Sequence, residues 1–314
     1  MTATTNGPAK ALHLSNEYLR IAVHPDEGGR IASLRSLQPD VEFLTQAHSP
    51  RRQLKPSLNA RFEEGACAGI EECLPSVAAC GPETAGGAVP DHGDFWQLKW
   101  NVESYDSRSA VLSAMGFSRP VRFRKEVLLD DWTMRLQYRV LNEGSEPTRF
   151  LYAFHPLFAV EAGDQVILPV EVQDLEVYYS RGQRLATAGR VSWPLTADGR
   201  RLDIVQRADA GTAEMFYTAR LRDSQCGLVR KAAGARIDLQ FSVDLLAYLG
   251  VWICYGGWPE DSSYPAQYAV ALEPTTAPCN SLREAQDSET AVELEPGSCL
   301  NWEIGITVQP EGGE

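Results

Sequence analysis

The chain has 314 residues, room for one large domain or two ordinary ones, with 44% apolar and 23% charged residues. Its net charge of −13 at neutral pH argues against partners such as nucleic acid or an anionic membrane. The short basic cluster Arg51-Arg52-Gln53-Leu54-Lys55 is too small for a phosphate-binding surface and reads as a solvated loop.

From the N-terminus, Met1 to Lys10 is polar and small, unlike a leader, and the ends (1–9 and 310–314) are expected to fray. No run reaches the ~20 apolar residues that a spanning helix needs. Seven cysteines, at 67, 73, 80, 226, 254, 279 and 299, form no CxxC pair, so zinc-ribbon and thioredoxin readings fail. Free thiols of this kind fit a reducing compartment, and the expected setting is soluble and cytoplasmic.

Period-two alternation recurs along the chain. "EYLRIAVHP" sets Leu19, Ile21 and Val23 on one side; "WTMRLQYRVLN" does so with Trp132, Met134, Leu136, Tyr138 and Val140. "RIDLQFSVDLL" and "LNWEIGITVQ" repeat the pattern with Ile237, Leu239, Phe241, Val243 and with Trp302, Ile304, Ile306. Such alternation marks strands with one buried face. Asp26-Glu27-Gly28-Gly29, Asn142-Glu143-Gly144 and Asp198-Gly199 supply turns between them. Long amphipathic helical stretches are missing, so the expected class is all-β: a large antiparallel β-sandwich or barrel with few short helices. "CGPETAGGAVPDHG" (80–93) reads as a surface loop leading into His92 rather than a linker, and residues 1–314 are expected to form one domain with a core of about 12–308.

Of five histidines, His92 lies in "PDHGDFWQLKW" and His155 in the apolar run "FLYAFHPLFAV". Glu273 ends a similar run in "YAVALEPTTAPCN". His155 and Glu273 both precede proline, which favours extended backbone, and both have alanine two residues earlier, Ala153 and Ala271, on the same strand face. Two rigid polar groups beside small side chains suit general acid–base catalysis. A plainer reading of Glu273 is a strand-end acid accepting backbone bonds from Thr275 and Thr276. Trp96, Trp100, Trp252, Tyr255 and Trp258 offer aromatic faces of the kind that stack on sugar rings, with Trp100 and Trp252 expected in the core.

Several ordered segments resemble the aldose 1-epimerase (galactose mutarotase-like) family. They are "NEYLRIAVHPDEGGRIASL" (16–34), "GIEECLPSVAACG" (69–81, as in the shorter branch), "DHGDFWQLKW", "YRVLNEGSEPTRFLYAFHPLFAV" and "VALEPTTAPCNSL". The resemblance spans about 12–308 and implies the large antiparallel supersandwich of that family. It implies that Glu273 is the general base, that His155 protonates the ring oxygen and that His92 binds and polarises the substrate. Trp96, Glu72, Asp94, Arg61 and Trp258 are the expected substrate contacts. The implied activity is interconversion of the α and β anomers of an aldose, with no cofactor or metal and with a small carbohydrate as partner.

Two departures bear on the sugar. The family's early Asn-Arg pair is matched only by Asn59 and Arg61 in "LNARF", and its hydroxyl-binding aspartate has only Asp238, Asp244 or Asp261 as possible counterparts. A non-catalytic sugar binder on the same fold therefore stays open. So does an enzyme for a phosphorylated or acidic sugar, with Arg61, Arg122 and Arg124 as candidate anion ligands.

Overall fold

A computed structural model describes residues 11–47 and 55–312. The Arg51–Leu54 part of the basic cluster and residues 1–10, with the expected N-terminal fraying, lie outside the described residues. Two antiparallel sheets dominate, as the alternation predicts. The larger has eleven strands. Its path runs Leu12–Ser15, Leu19–His24, Arg30–Leu37, Gly69–Cys73, Ala153–Ala159, Tyr268–Thr275, Tyr248–Tyr255, Thr212–Tyr217, Asp174–Ser180 and Arg190–Ser192; Asp40–Glu42 pairs with Arg30–Leu37 off this path. The smaller has eight, in the order Gln165–Ile167, Cys226–Arg230, Ala235–Phe241, Cys299–Pro310, Thr133–Asn142, Val121–Asp130, Ser109–Met115 and Asn101–Tyr105. Thr148–Phe150 and Val292–Leu294 form a separate pair.

The alternating sequences become these strands directly. In Thr133–Asn142 the side chains of Met134, Leu136, Tyr138 and Val140 are buried while the intervening ones reach the surface. The C-terminal strand runs further than expected, pairing Pro310 with Ala235, so fraying does not begin there. Gly28 and Gly29 make the predicted turn with positive φ, and a Cβ on Gly28 would fall 2.7 Å from the Trp96 backbone. One short α-helix, Leu282–Asp287, is present among the described residues; Ser281 caps it by accepting from the amides of Arg283 and Glu284.

The core fills the space between the sheets. Ile70, Phe154, Val251, Val270 and Leu272 come from the larger sheet, and Phe123, Val127, Leu136, Ile304 and Ile306 from the smaller. Glu72 is on this inner face too, which corrects its expected role at the substrate. Its carboxylate accepts from Lys125 Nζ (3.0 Å), Tyr138 Oη (2.9 Å) and Tyr152 Oη (2.8 Å), and neither side chain of the Glu72–Lys125 pair is exposed. Lys125 also donates to the Gly29 carbonyl, tying the Gly-Gly turn to the sandwich interior. A carboxylate with three donors, one of them a cation, is satisfied without a ligand.

Candidate active site

Strand alternation that sends Ile70, Phe154, Leu272 and Val251 inward sends their neighbours to the outer face of the larger sheet. Ala153 opposes Thr275 and Phe158 opposes Val270 in one unbroken register, so His155 and Glu273 fall opposite each other. Glu71 is the partner of His155 on its other side, Gly250 is the partner of Glu273, and Tyr217 is the partner of Gly250. The result is a lateral row of Glu71, His155, Glu273, Gly250 and Tyr217. His155 Nε2 lies 3.8 Å from Glu273 Oε1. Thr275 and Thr276 bond the Tyr152 carbonyl instead of the Glu273 carboxylate, so the strand-end reading of this acid does not describe its setting.

Gly250 matters to this row because it has no side chain. A Cβ there would stand 2.8 Å from Met215 Cε and 3.3 Å from both Glu273 Cβ and Tyr217 Cε1. The gap lets Tyr217 pass beside Glu273, and its hydroxyl donates to Asn280 Oδ1. Asn280 in turn lines the cavity described below.

The third expected catalytic residue arrives from a loop. His92 adopts φ of 54°, in the left-handed region, and its amide bonds the Val77 carbonyl. Its ring stacks on Phe62 (3.8 Å between centroids, 8° between planes) and meets His155 edge to face at 5.2 Å. Asp91 organises this corner. One carboxylate oxygen is 2.8 Å from His92 Nδ1, the other accepts from the Phe62 amide at 2.8 Å, and its carbonyl accepts from Trp96 Nε1 at 2.7 Å.

Phe62, His92, His155 and Glu273 line a cavity of about 520 Å³ together with Arg61, Tyr179, Met215, Trp252, Trp258, Gln267 and Asn280. His92, His155, Glu273, Arg61 and Trp258 are thus brought together as expected. Trp96 and Asp94 are not, and both expectations need correcting. Trp96 is fully buried behind Phe62, edge-on to its ring, and acts as a support. Asp94 is fully buried and accepts from the amides of Phe117 and Ser118, anchoring a turn of the smaller sheet.

Trp252 corrects a further expectation. Leu249, Val251 and Ile253 fill the core, so Gly250 and Trp252 must face outward, and Trp252 forms a cavity wall with Trp258 edge-on at 6.4 Å. Its indole donates to Gln267 Oε1 at 2.6 Å. The alternation in "YLGVWICY" holds that signal. Of the aspartates considered, Asp261 reaches the cavity, whereas Asp238 pairs with Arg236 on the smaller sheet and Asp244 lies in the turn after Ala235–Phe241. Phe62, Tyr179, Met215, Gln267 and Asn280 had no motif to mark them.

Burial sets the protonation of the pair. The Glu273 carboxyl is pushed up to about 8 by desolvation, which the His92 charge only partly offsets. His155 is pushed down to about 3, first by burial and then by repulsion from His92. Its Nδ1 is buried with no hydrogen-bond partner, so nothing there favours the imidazolium. His92 moves the other way. Burial is the largest single influence and opposes its charge, but Asp91, Glu273 and Glu71 together outweigh it, and its pKa is raised. The corner therefore holds an Asp91–His92 ion pair beside a His155–Glu273 pair that shares one proton.

The family model for aldose 1-epimerase matches residues 10–307. The chain belongs to the aldose 1-epimerase family. No curated protein matches it. Among solved structures it is similar to the Slr1438 protein from Synechocystis sp. PCC 6803, with 19% identity and a TM-score of 0.71, covering 99% of this chain and 100% of that one. A galactose mutarotase related enzyme from Lactobacillus acidophilus gives 16% identity and a TM-score of 0.62, covering 97% and 99%. The GalM/aldose epimerase homologue from C. elegans gives 13% and 0.64, covering 96% and 99%. At these identities the likeness establishes the mutarotase-like fold, and the family supports a sugar epimerase or mutarotase type of function.

Among the described residues no group of three or more His, Cys, Asp or Glu is placed to hold a metal ion. No helix among them is long and apolar enough to cross a membrane.

Proposed function

We propose that this chain is an aldose 1-epimerase that interconverts the α and β anomers of an uncharged sugar by acid–base ring opening. The observation that carries this reading is the opposed placement of His155 and Glu273, 3.8 Å apart at the floor of an aromatic-walled cavity. Glu273 takes the proton of the anomeric hydroxyl while His155 gives a proton to the ring oxygen. The bond from C1 to the ring oxygen breaks, and C1 becomes a carbonyl carbon. Rotation about C1–C2 presents the other carbonyl face, the ring oxygen attacks it, and both protons return. Nothing is consumed, and only protons cross between protein and sugar.

Burial keeps the shared proton on Glu273 rather than on His155. Its transfer across the pair to His155 gives the reactive arrangement, a carboxylate beside an imidazolium. The His92 charge helps, because it favours ionised Glu273. That same charge, held by Asp91, stabilises negative charge developing on the anomeric oxygen. Trp252 and Trp258 supply faces for the sugar ring, and Asn280 an amide for a hydroxyl.

The charge of the cavity supports an uncharged sugar over a phosphorylated or acidic one. Among the described residues Arg61 is its only lysine or arginine, and Glu63, Glu64 and Tyr264 surround that guanidinium. Arg122 and Arg124 pair with Glu143 and Glu103 on the outer face of the smaller sheet, where they cannot converge on the cavity. Glu260 and Asp261 add negative charge to the lining. The test is two-dimensional exchange NMR on a panel of aldoses, sugar phosphates and sugar acids. Cross-peaks between anomers above the uncatalysed rate for a neutral aldose support the reading; exchange confined to phosphorylated or acidic sugars refutes it.

A further inference from the structure

One buried acid beside the reacting pair neither gives nor takes a proton of the sugar. Glu71 is 1% exposed and stands directly opposite His155 in the ladder of Gly69–Cys73 with Ala153–Ala159. Opposed residues of an antiparallel pair share a face, with Cβ atoms about 4.5–5.5 Å apart. His155 therefore has an acid on each side, Glu273 on one neighbouring strand and Glu71 on the other. The next strand pairs Ile31 with Ile70, and that antiparallel register, continued by one residue, brings Arg30 across from Glu71. Arg30 is itself buried, at 4% exposure, and pairs with Glu27 at 2.6 Å. Glu71 does not line the cavity, so any part it plays in the chemistry goes through His155 and His92.

We propose that Glu71 is a positioning residue of the reaction, a carboxylate set between Arg30 and His155 that holds His155 as the imidazolium while the sugar reacts. This inference rests on the anomer-exchange reading and adds a residue to it. When Glu273 passes its proton to His155, the new imidazolium lies 5.2 Å, ring to ring, from His92, whose charge Asp91 holds. Two like charges this close in a buried corner repel each other. Asp91 is committed to His92 and to the Phe62 amide, and Glu273 loses its charge as it takes the anomeric proton. Cys73 and Tyr217, whose burial pushes their pKa values well up, stay neutral. Glu71 is the acid of this corner that keeps its charge throughout. Its field reaches the second ring as well: against burial, Asp91, Glu273 and Glu71 all raise the pKa of His92.

The test compares Glu71→Gln, which keeps the shape and removes the charge, with Glu71→Thr, which removes both, and Glu71→Asp, which keeps the charge. Two quantities are measured: anomer exchange of a neutral aldose by NMR, and the titration of the His92 ring in the sugar-free protein, followed at its C2 proton. Glu71→Gln and Glu71→Thr should each lower kcat about tenfold or more with KM changed by less than about twofold, because an opposite charge at this range alters a protonation equilibrium by at least that factor. Both should move the His92 midpoint to lower pH, and Glu71→Asp should stay closer to wild type in each measurement. A kcat within about twofold of wild type in the folded uncharged variants overturns the proposal. So does an unmoved His92 midpoint, or an equal loss in Glu71→Asp and Glu71→Gln. Each of these leaves the anomer-exchange reading standing, whereas a wild-type protein that exchanges no aldose overturns both.

Discussion

His92 and Asp91 are sequence neighbours whose side chains meet at 2.8 Å, and through that contact a single aspartate sets the charge beside the His155–Glu273 pair. Asp91 also holds the Phe62 amide and the Trp96 indole, so the stacking of Phe62 on His92 depends on the same residue. Asp91→Asn keeps the shape and removes the charge. His92 then loses the main partner that raises its pKa, and the loss of its charge removes what lowers Glu273. The expected outcome is a shift of the alkaline limb of kcat/KM to higher pH, with lower activity on the plateau. An unchanged pH profile in a folded variant would remove Asp91 from the account.

Burial of the pair predicts the wild-type pH profile. Between about 3 and about 8 His155 and Glu273 together hold one proton, the number the reaction needs. Above about 8 that proton is lost and no acid remains. The profile of kcat/KM, which reports the free enzyme, should therefore fall on the alkaline side near 8.

The same groups make the site a source of instability, with a definite sign. Glu273 has a folded pKa raised to about 8 from 4.5, so the folded chain binds more protons than the unfolded one between these values, and stability falls as pH rises through that window. His155, lowered to about 3 from 6.5, makes stability fall as pH drops through 6.5 toward 3. Glu273→Gln abolishes the first effect. Denaturant melts of wild type and variant should diverge as pH rises from about 5 to 8, with the variant the more stable. A gap that does not grow with pH contradicts the burial argument.

Gly250 predicts a steric effect. Gly250→Ala pushes a methyl toward Met215, Tyr217 and Glu273, displacing the carboxylate or the tyrosine beside it. Small displacements of a positioned group cost rate heavily, on the order of a hundredfold for about 1 Å. The expected signature is a drop in kcat larger than any change in thermal stability. A melting temperature that collapses with kcat unchanged per folded molecule would show that the glycine serves folding alone.

Far from the cavity, Lys125→Met takes the cation away from the Glu72 carboxyl buried between the sheets. Removing one partner of such a pair costs about 3–5 kcal/mol. Urea unfolding should report a loss of that size, and the double variant Lys125→Met with Glu72→Leu should recover much of it. A loss below 1 kcal/mol would mean that the pair is not buried in the way described.

Strand-period alternation carried the fold, because one buried face per strand writes period two into residues such as Leu19, Ile21 and Val23. The same rule, applied to "YLGVWICY", also points Trp252 outward, although its strand position had suggested the core. Glu273 and His155 were legible through their matched pre-proline positions in apolar runs, although the strands continue through both prolines and only strand pairing makes the two residues opposite. Glu72 and Asp94 are acids near His92 in sequence or in the sheet, yet alternation and turn anchoring bury them. Phe62 and Asn280 come to the cavity through loop and cross-strand contacts, whose long sequence separation leaves no local pattern.

Exchange NMR on Glu273→Gln with a neutral aldose tests the acid–base assignment most directly. The variant should fold as wild type and still bind sugar, while the rate between α and β anomers falls on the order of 10²–10⁴-fold, the usual contribution of one positioned acid or base. Anomer exchange at the wild-type rate in that variant would contradict the assignment of Glu273 and, with it, the mechanism.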